Sequence, residues 1–202
     1  MHSYIVRLAH ETELAYLPEV ERAAARRFLP YVEKLEISAE LLEGLTPLSY
    51  LRRAQAGGRV WVAVASSQQG QDQQGQGHQK QAQPVGFLVA KFLTTTCFVV
   101  ELSVHPDYGR QGIGSALIET CCKATKIRGL RQVMLTTFRY VPWNIPFYER
   151  LGFRVLAREQ LPSDIEAIVQ HESRYGFLPR HRVVMRRVLA SEDADGANNA
   201  ER

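Results

Sequence analysis

The sequence predicts a mixed β-sheet flanked by helices, an α/β (α+β) fold, and three observations carry that expectation. Strand-like and helix-like stretches alternate irregularly along the chain. Two β-like runs on either side of a polar tract read as a hairpin, which makes part of the sheet antiparallel. The strongest strand runs through a glycine-rich turn into an amphipathic helix and then a further strand, which is a crossover. No internal repeat is visible.

Taken in order, residues 4–8 read as a short strand. Pro18 suits the first turn of a helix running through Val20, Ala24 and Phe28 to a stop at Pro30. A second helix is expected after Ser38 as N-cap, with Leu41, Leu42 and Leu45 buried, interrupted at Pro47. Residues 59–65 turn β-like, with Val60, Val62 and Val64 alternating against Trp61 and Ala63, and the pattern resumes over 85–92. The tract between them, 66–84, is rich in Gln and Gly. It carries no apolar residue but Ala82 and Pro84, so a disordered hairpin tip is expected.

Residues 98–104 form the strongest strand and lead directly into HPDYGRQGIG. Ile113, Ala116, Leu117, Cys121 and Ala124 then recur at helical spacing, with Gly129 as the C-terminal stop. A strand over 132–137, a short helix over 144–151 stopped by Gly152, and a strand over 153–156 follow. A capping box at Ser163 to Glu166 is expected to open a helix burying Ile165, Ile168 and Val169, before a last strand over 183–188. One domain over 1–190 is expected, with a disordered acidic tail over 191–202.

Composition narrows the function. A formal charge of +4 and a pI near 9.1 come from basic residues spread along the chain, and the densest group, 123–131, falls on one helix and its exit. That reads as a solvated face, so no nucleic-acid partner is expected. Cys97, Cys121 and Cys122 form no C-x-x-C pair, and no His cluster has zinc-ligand spacing; neither a disulfide framework nor a metal is expected. With no apolar run long enough for a signal peptide or a membrane span, no membrane partner is expected and a cytoplasmic location is.

A strand feeding a glycine-rich turn and a helix is suited to phosphate, because the first N–H groups of a helix lack internal partners and carry the positive end of its dipole. Gly112 and Gly114 let an anion approach the backbone, and Ser115 adds a hydroxyl. The spacing excludes a P-loop, since no Lys follows the glycines, and a dinucleotide fingerprint, since Leu117 stands where Gly or Ala is needed. Glycines that merely permit close packing of the helix on the strand are the competing reading.

HPDYGRQGIGSAL resembles the pyrophosphate-binding motif of the GNAT acetyltransferases, Q/R-x-x-G-x-G/A. One position departs: Gly109 stands where the family carries Gln or Arg, with Arg110 and Gln111 beside it. Downstream, the run from Val141 through Asn144, Phe147, Tyr148, Glu149, Leu151 and Gly152 to Phe153 is similar to the second signature of the same family, N-x-x-x-x-FYE-x-LGF, with Phe147 here following Asn144 by three. The two motifs cover about a quarter of the chain. The resemblance implies a mostly antiparallel central sheet with a splayed central strand, and acetyl-CoA as co-substrate. It places Leu102, Ser103, Val104, Gly109, Arg110, Gln111, Gly112, Ile113, Gly114, Ser115, Asn144 and Phe147 at the cofactor, and it allows a homodimer.

Acyl transfer from a thioester to an amine requires a proton acceptor for the ammonium, donors for the oxyanion and a proton for the departing thiolate. The resemblance implies Glu101 as base, acting through water, and Tyr148 as acid; backbone groups near 102–104 would meet the oxyanion. Each has a plain alternative. Glu101 would pair with an Arg, Tyr148 would be a core aromatic, and Asn144 would cap its helix. The expected activity is N-acetyl transfer to a small primary amine. A peptide or protein amino group, and a CoA-binding module without turnover, stay open. Phe138, Arg139, Tyr140 and Trp143 are candidates for the acceptor pocket.

Overall fold

The computed structural model describes residues 4–65 and 83–190. Seven strands form one sheet: β1 (Tyr4–Leu8), β2 (Val60–Ala65), β3 (Pro84–Phe92), β4 (Cys97–Val104), β5 (Gln132–Phe138), β6 (Arg154–Val155) and β7 (Arg182–Val188). Their spatial order is β1-β2-β3-β4-β5-β7-β6, and every neighbouring pair is antiparallel except β4 with β5. The mixed, mostly antiparallel sheet expected from the sequence is therefore present. The one parallel pair is joined by α4 (Ile113–Ile127), the crossover that parallel neighbours require.

Helices cover both faces. On one, α4 and α5 (Asn144–Arg150) pack over a core that includes Leu88, Val99, Leu117, Cys121, Leu135 and Phe153. On the other, α1 (Leu17–Ala25) and α3 (Leu48–Ala56) cover Val62, Phe87 and Val89, while α6 (Ser163–Arg174) covers Phe98, Met134 and Val184. A short α2 (Val32–Leu35) lies between α1 and α3. With both faces covered, β2 is buried through Val64 on both sides, which overrides the predicted alternation.

Other local expectations are corrected. The first helix ends as an α-helix at Ala25 and tightens into a 3-10 segment over Arg26–Tyr31, because the ring of Pro30 is incompatible with the carbonyl four residues earlier. Ser38 does act as a cap, its Oγ accepting from the Leu41 N–H at 3.2 Å, but it opens a single 3-10 turn, Ala39–Glu43. Leu41, Leu42 and Leu45 are only half-buried. Pro47 does not interrupt a helix; it is the N-cap of α3, a helix the sequence reading missed. No capping box forms at Ser163. Pro162 precedes the helix, and the Asp164 carboxylate accepts from the Ile165 N–H at 2.9 Å instead.

Of the tract expected to be a disordered tip over 66–84, residues 66–82 lie outside the described residues, and Pro84 already belongs to β3. The tail over 191–202 lies outside them as well. The three cysteines are buried and free, with Cys97 Sγ 3.6 Å from Cys121 Sγ. No helix among the described residues is long and apolar enough to cross a membrane.

Candidate active site

The site begins with an irregularity in β4. Its pairing with β3 runs from Gly86–Val104 to Val89–Glu101 and resumes at Ala90–Val99, leaving Val100 as an extra residue. This β-bulge reverses the alternation of side chains. Before it, Cys97 and Val99 face the core under α4; after it, Leu102 and Val104 take that face. Glu101 and Ser103 consequently turn to the opposite face, beside their register partners Val89 and Phe87, where α1 packs. Without the bulge, Glu101 would point into the apolar core beneath α4.

The same strand parts from its parallel neighbour. Pairing of β4 with β5 covers only Cys97–Val133 to Val99–Leu135, while β5 continues to Phe138 along β7. The splayed central strand implied by the resemblance is thus present, and the sheet opens beside residues 100–104. The His105 N–H donates to the Val85 carbonyl at 2.8 Å, on the β3 side. By alternation, the backbone groups of Leu102 and Val104 point into the opening.

At one mouth of the opening lies the glycine-rich loop. Arg110 and Gly112 both adopt left-handed backbone, with φ of 58° and 83°, and Gly112 is the residue before the 15-residue α4. Successive N–H groups in such a loop converge into an anion-binding concavity. A Cβ at Gly112 would lie 3.2 Å from Tyr4 Oη, and one at Gly114 would lie 3.2 Å from Phe147 Cζ and 3.8 Å from Val104 Cγ2. The Gln111 Oε1 is buried without a hydrogen-bond partner. The departure at Gly109 also has a local cause, since a Cβ there would stand 3.0 Å from the Pro106 carbonyl oxygen. The loop therefore fits a pyrophosphate held through the backbone, with Ile113 buried as an anchor and Ser115 in the first turn of the helix.

Two ionisable groups lie on either side of the sheet here, Glu101 on the α1 face and Tyr148 against the core under α4. Glu101 accepts a hydrogen bond from the Ser103 hydroxyl at 2.7 Å. Burial raises its pKa; the Ser103 hydroxyl, the Leu102 N–H and the Arg182 charge oppose that shift without reversing it. Tyr148, on α5, packs edge-on against Phe147 and Phe153 at centroid distances of 5.0 and 5.7 Å. Its phenol is pushed well above its ordinary range, by burial first and by the Glu101 charge second. The phenol therefore keeps its proton at neutral pH, as an acid must. The plain alternative for Glu101, a direct ion pair with an Arg, is not realised among the described residues: Arg182 is bound to Glu172 at 3.2 Å and to Thr136 Oγ1 at 2.7 Å.

Asn144 does not cap α5. Trp143 stands before the helix, and Asn144 is its buried first residue. Among the residues expected at the acceptor pocket, Phe138 and Trp143 join an aromatic cluster with Phe28 and Tyr31, at centroid distances of 5.3–5.9 Å. Arg139 and Tyr140 are exposed. Sequence reasoning missed Glu21, a carboxylate buried on α1 that accepts from the Thr46 N–H at 3.0 Å and the Thr46 hydroxyl at 2.9 Å. Burial, and then the nearby Glu101 charge, push its pKa up to about 7. A signal was present, because Glu21 follows Leu17 by four and shares its buried helix face.

The family model for the acetyltransferase (GNAT) domain matches residues 56–155. That span contains the bulged strand, the glycine loop and α5. A glucosamine 6-phosphate N-acetyltransferase of Trypanosoma brucei brucei is 34% identical over 61 residues, which span 30% of this chain and only 40% of that relative. Among solved structures, the PaiA N-acetyltransferase of Thermoplasma acidophilum, in complex with coenzyme A, superposes with a TM-score of 0.64 at 19% identity, over 92% of this chain and 99% of that one. The ribosomal-protein-S18-alanine N-acetyltransferase of Escherichia coli gives 0.57 at 18% identity, over 95% and 98%. Those two likenesses concern the fold. With the family match falling on the segment that builds the loop, the bulge and the opening, the chain belongs to the GNAT acetyltransferase family.

Proposed function

We propose that this chain moves an acetyl group from acetyl-CoA to a primary amine by direct attack in a ternary complex. The observation that carries the proposal is the opening between β4 and β5, which has the phosphate-type loop at one mouth and Glu101 and Tyr148 within electrostatic reach of each other. In this reading Gly109, Arg110, Gln111, Gly112, Ile113, Gly114 and Ser115 hold the pyrophosphate. Asn144 and Phe147 flank the pantetheine arm, and Leu102, Ser103 and Val104 line the thioester with backbone groups.

The chemistry follows from those positions. Glu101, directly or through water, takes a proton from the ammonium, whose ordinary pKa near 10 leaves little free amine at neutral pH. The nitrogen lone pair then attacks the thioester carbonyl carbon. The resulting oxyanion is met by a backbone N–H in the opening, the Val104 amide being the one aimed there. Collapse breaks the C–S bond as the Tyr148 phenol protonates the departing thiolate; the nitrogen's second proton passes through water to the phenolate, and Glu101 releases the first to solvent. Because the phenol is a weaker acid than a thiol near 8.5, its transfer to the thiolate accompanies C–S cleavage and does not precede it.

The acceptor in this proposal is a small-molecule amine, supported by the likeness to the glucosamine 6-phosphate enzyme over 61 residues. The test is release of free CoA from acetyl-CoA against a panel of small amines and peptide N-termini, with the acetylated product identified by mass. Turnover confined to peptides would move the acceptor to a protein amino group. Tight CoA binding with no turnover on any amine would make the chain a binding module.

A further inference from the structure

α1 packs on the face of β4 to which Glu101 turns, with Glu21 on its buried side, and neither carboxylate forms an ion pair among the described residues. Glu21 is held by neutral donors, the Thr46 N–H and hydroxyl, and Glu101 by the Ser103 hydroxyl. The arginines around them are engaged elsewhere. Arg22 reaches Glu19 at 3.4 Å and Glu43 at 3.6 Å, on the solvent side of α1. Arg182 is bound to Glu172 at 3.2 Å and stacks on Phe138 and Phe177 at 4.8 and 5.2 Å. Each of these guanidiniums already has its carboxylate.

Two carboxylates brought together away from water, with neutral donors only, raise each other's cost of ionisation. The Glu101 charge adds to the burial that raises the pKa of Glu21. A positive charge delivered between them would relieve that cost, and the reacting group of an amine substrate arrives as such a charge. The bulge at Val100 aims Glu101 at the α1 face, so both carboxylates meet an acceptor entering there, opposite the core under α4.

We propose that Glu21 and Glu101 form a two-carboxylate subsite for the acceptor, selecting an alkylammonium with no anionic group beside its reacting nitrogen, and that Glu21 is a positioning residue for that ammonium. This rests on the acetyltransferase reading above. The selection is a difference of affinities: a carboxylate or phosphate next to the nitrogen would meet two carboxylates, while Arg22 and Arg182 are held in ion pairs of their own.

The experiment compares acceptors matched in size, β-alaninamide against β-alanine and glycinamide against glycine, with rates corrected for the lower amine pKa of each amide. Wild-type enzyme is expected to favour each amide over its acid by about 100-fold in kcat/KM, and Glu21→Gln to reduce that preference by about tenfold through KM. One charge-assisted hydrogen bond of about 1.5 kcal/mol corresponds to that tenfold change. The dissociation constant for CoA should not move. Thr46→Val, which removes only the hydroxyl that orients Glu21, should raise the KM for the amides less than Glu21→Gln does. Equal use of acids and amides, or an unchanged acceptor KM in Glu21→Gln, would overturn the subsite while leaving acetyl transfer standing. Release of CoA by no amine would overturn both.

Discussion

Gly114, in the first turn of α4, and Phe147, on α5, are in contact, such that a Cβ on the glycine would stand 3.2 Å from the tip of the ring. The two sequence signatures, more than thirty positions apart along the chain, are therefore one structure at this point. In the proposed reading, the ring closes the side of the loop where the cofactor's arm leaves the phosphates.

This contact and its neighbour yield a first prediction. Gly114→Ala forces the Phe147 ring to shift by a few tenths of an ångström and narrows that exit, so affinity for CoA should fall several-fold with the fold retained. Gly112→Ala should do more, because φ at that position is 83° and a Cβ would also meet Tyr4 Oη at 3.2 Å. Left-handed backbone costs a non-glycine residue about 1–2 kcal/mol, so its melting temperature should drop by a few degrees as well. Calorimetric titration with CoA and thermal unfolding check both.

Tyr148→Phe removes the proton donor and keeps the ring that packs on Phe147 and Phe153. The expected result is a fall in kcat of about 100-fold, the low end for a general acid, with CoA affinity within about twofold of wild type. Steady-state kinetics beside a binding titration separate the two quantities. Full turnover by the variant would remove Tyr148 from the chemistry.

Glu101 must be ionised to accept a proton, and burial holds its pKa above the ordinary 4.5. The rate should therefore rise with pH along an acid limb lying above the ordinary carboxylate range of about 4 to 4.5. Because Glu21 titrates close by, that limb belongs to the pair. Glu101→Gln should lower kcat/KM by about 100-fold and reshape the limb, as read from a pH–rate profile.

Glu21 also makes stability depend on pH, in the sense opposite to a salt-bridged carboxylate. Its folded pKa of about 7 exceeds the ordinary 4.5, so the folded chain binds the extra proton between those values. The associated stabilisation is complete below pH 4.5 and is lost as pH rises through 7, a change of about 3 kcal/mol. Glu21→Gln lacks that dependence while keeping an oxygen for the Thr46 N–H. Its melting temperature should exceed that of wild type at pH 8, and the gap should close at pH 5. A gap that does not vary with pH would mean that Glu21 is already solvated.

The geometry of the glycine loop and of α5, the proposed cofactor half of the site, was legible because it is local. Gly112, Gly114 and Phe147 lie in two short segments whose geometry the backbone dictates, and each segment carries its own signature. Glu21 was not legible as a functional residue, since its environment is made by Thr46, twenty-five positions on, and by Glu101 on a different element. The bulge at Val100 was equally hidden: residues 98–104 read as an unbroken strand, and an extra residue shows only once β3 supplies a register. The missed α3 has another cause. A proline that ends one helix and a proline that precedes the next are the same letter, and at Pro47 tertiary packing decides between them.

The extra residue at Val100 has a consequence for how such an enzyme can diversify. Past the bulge, the side chains of Leu102 and Val104 pack under α4 and those of Glu101 and Ser103 face α1, so under the proposed mechanism a side-chain change at Ser103 reaches the amine side while leaving in place the backbone groups that line the thioester. A single strand thereby uncouples two inheritances. Under the proposed mechanism the donor machinery stays fixed while the acceptor preference is rewritten from α1 and from the side chain at position 103 of β4.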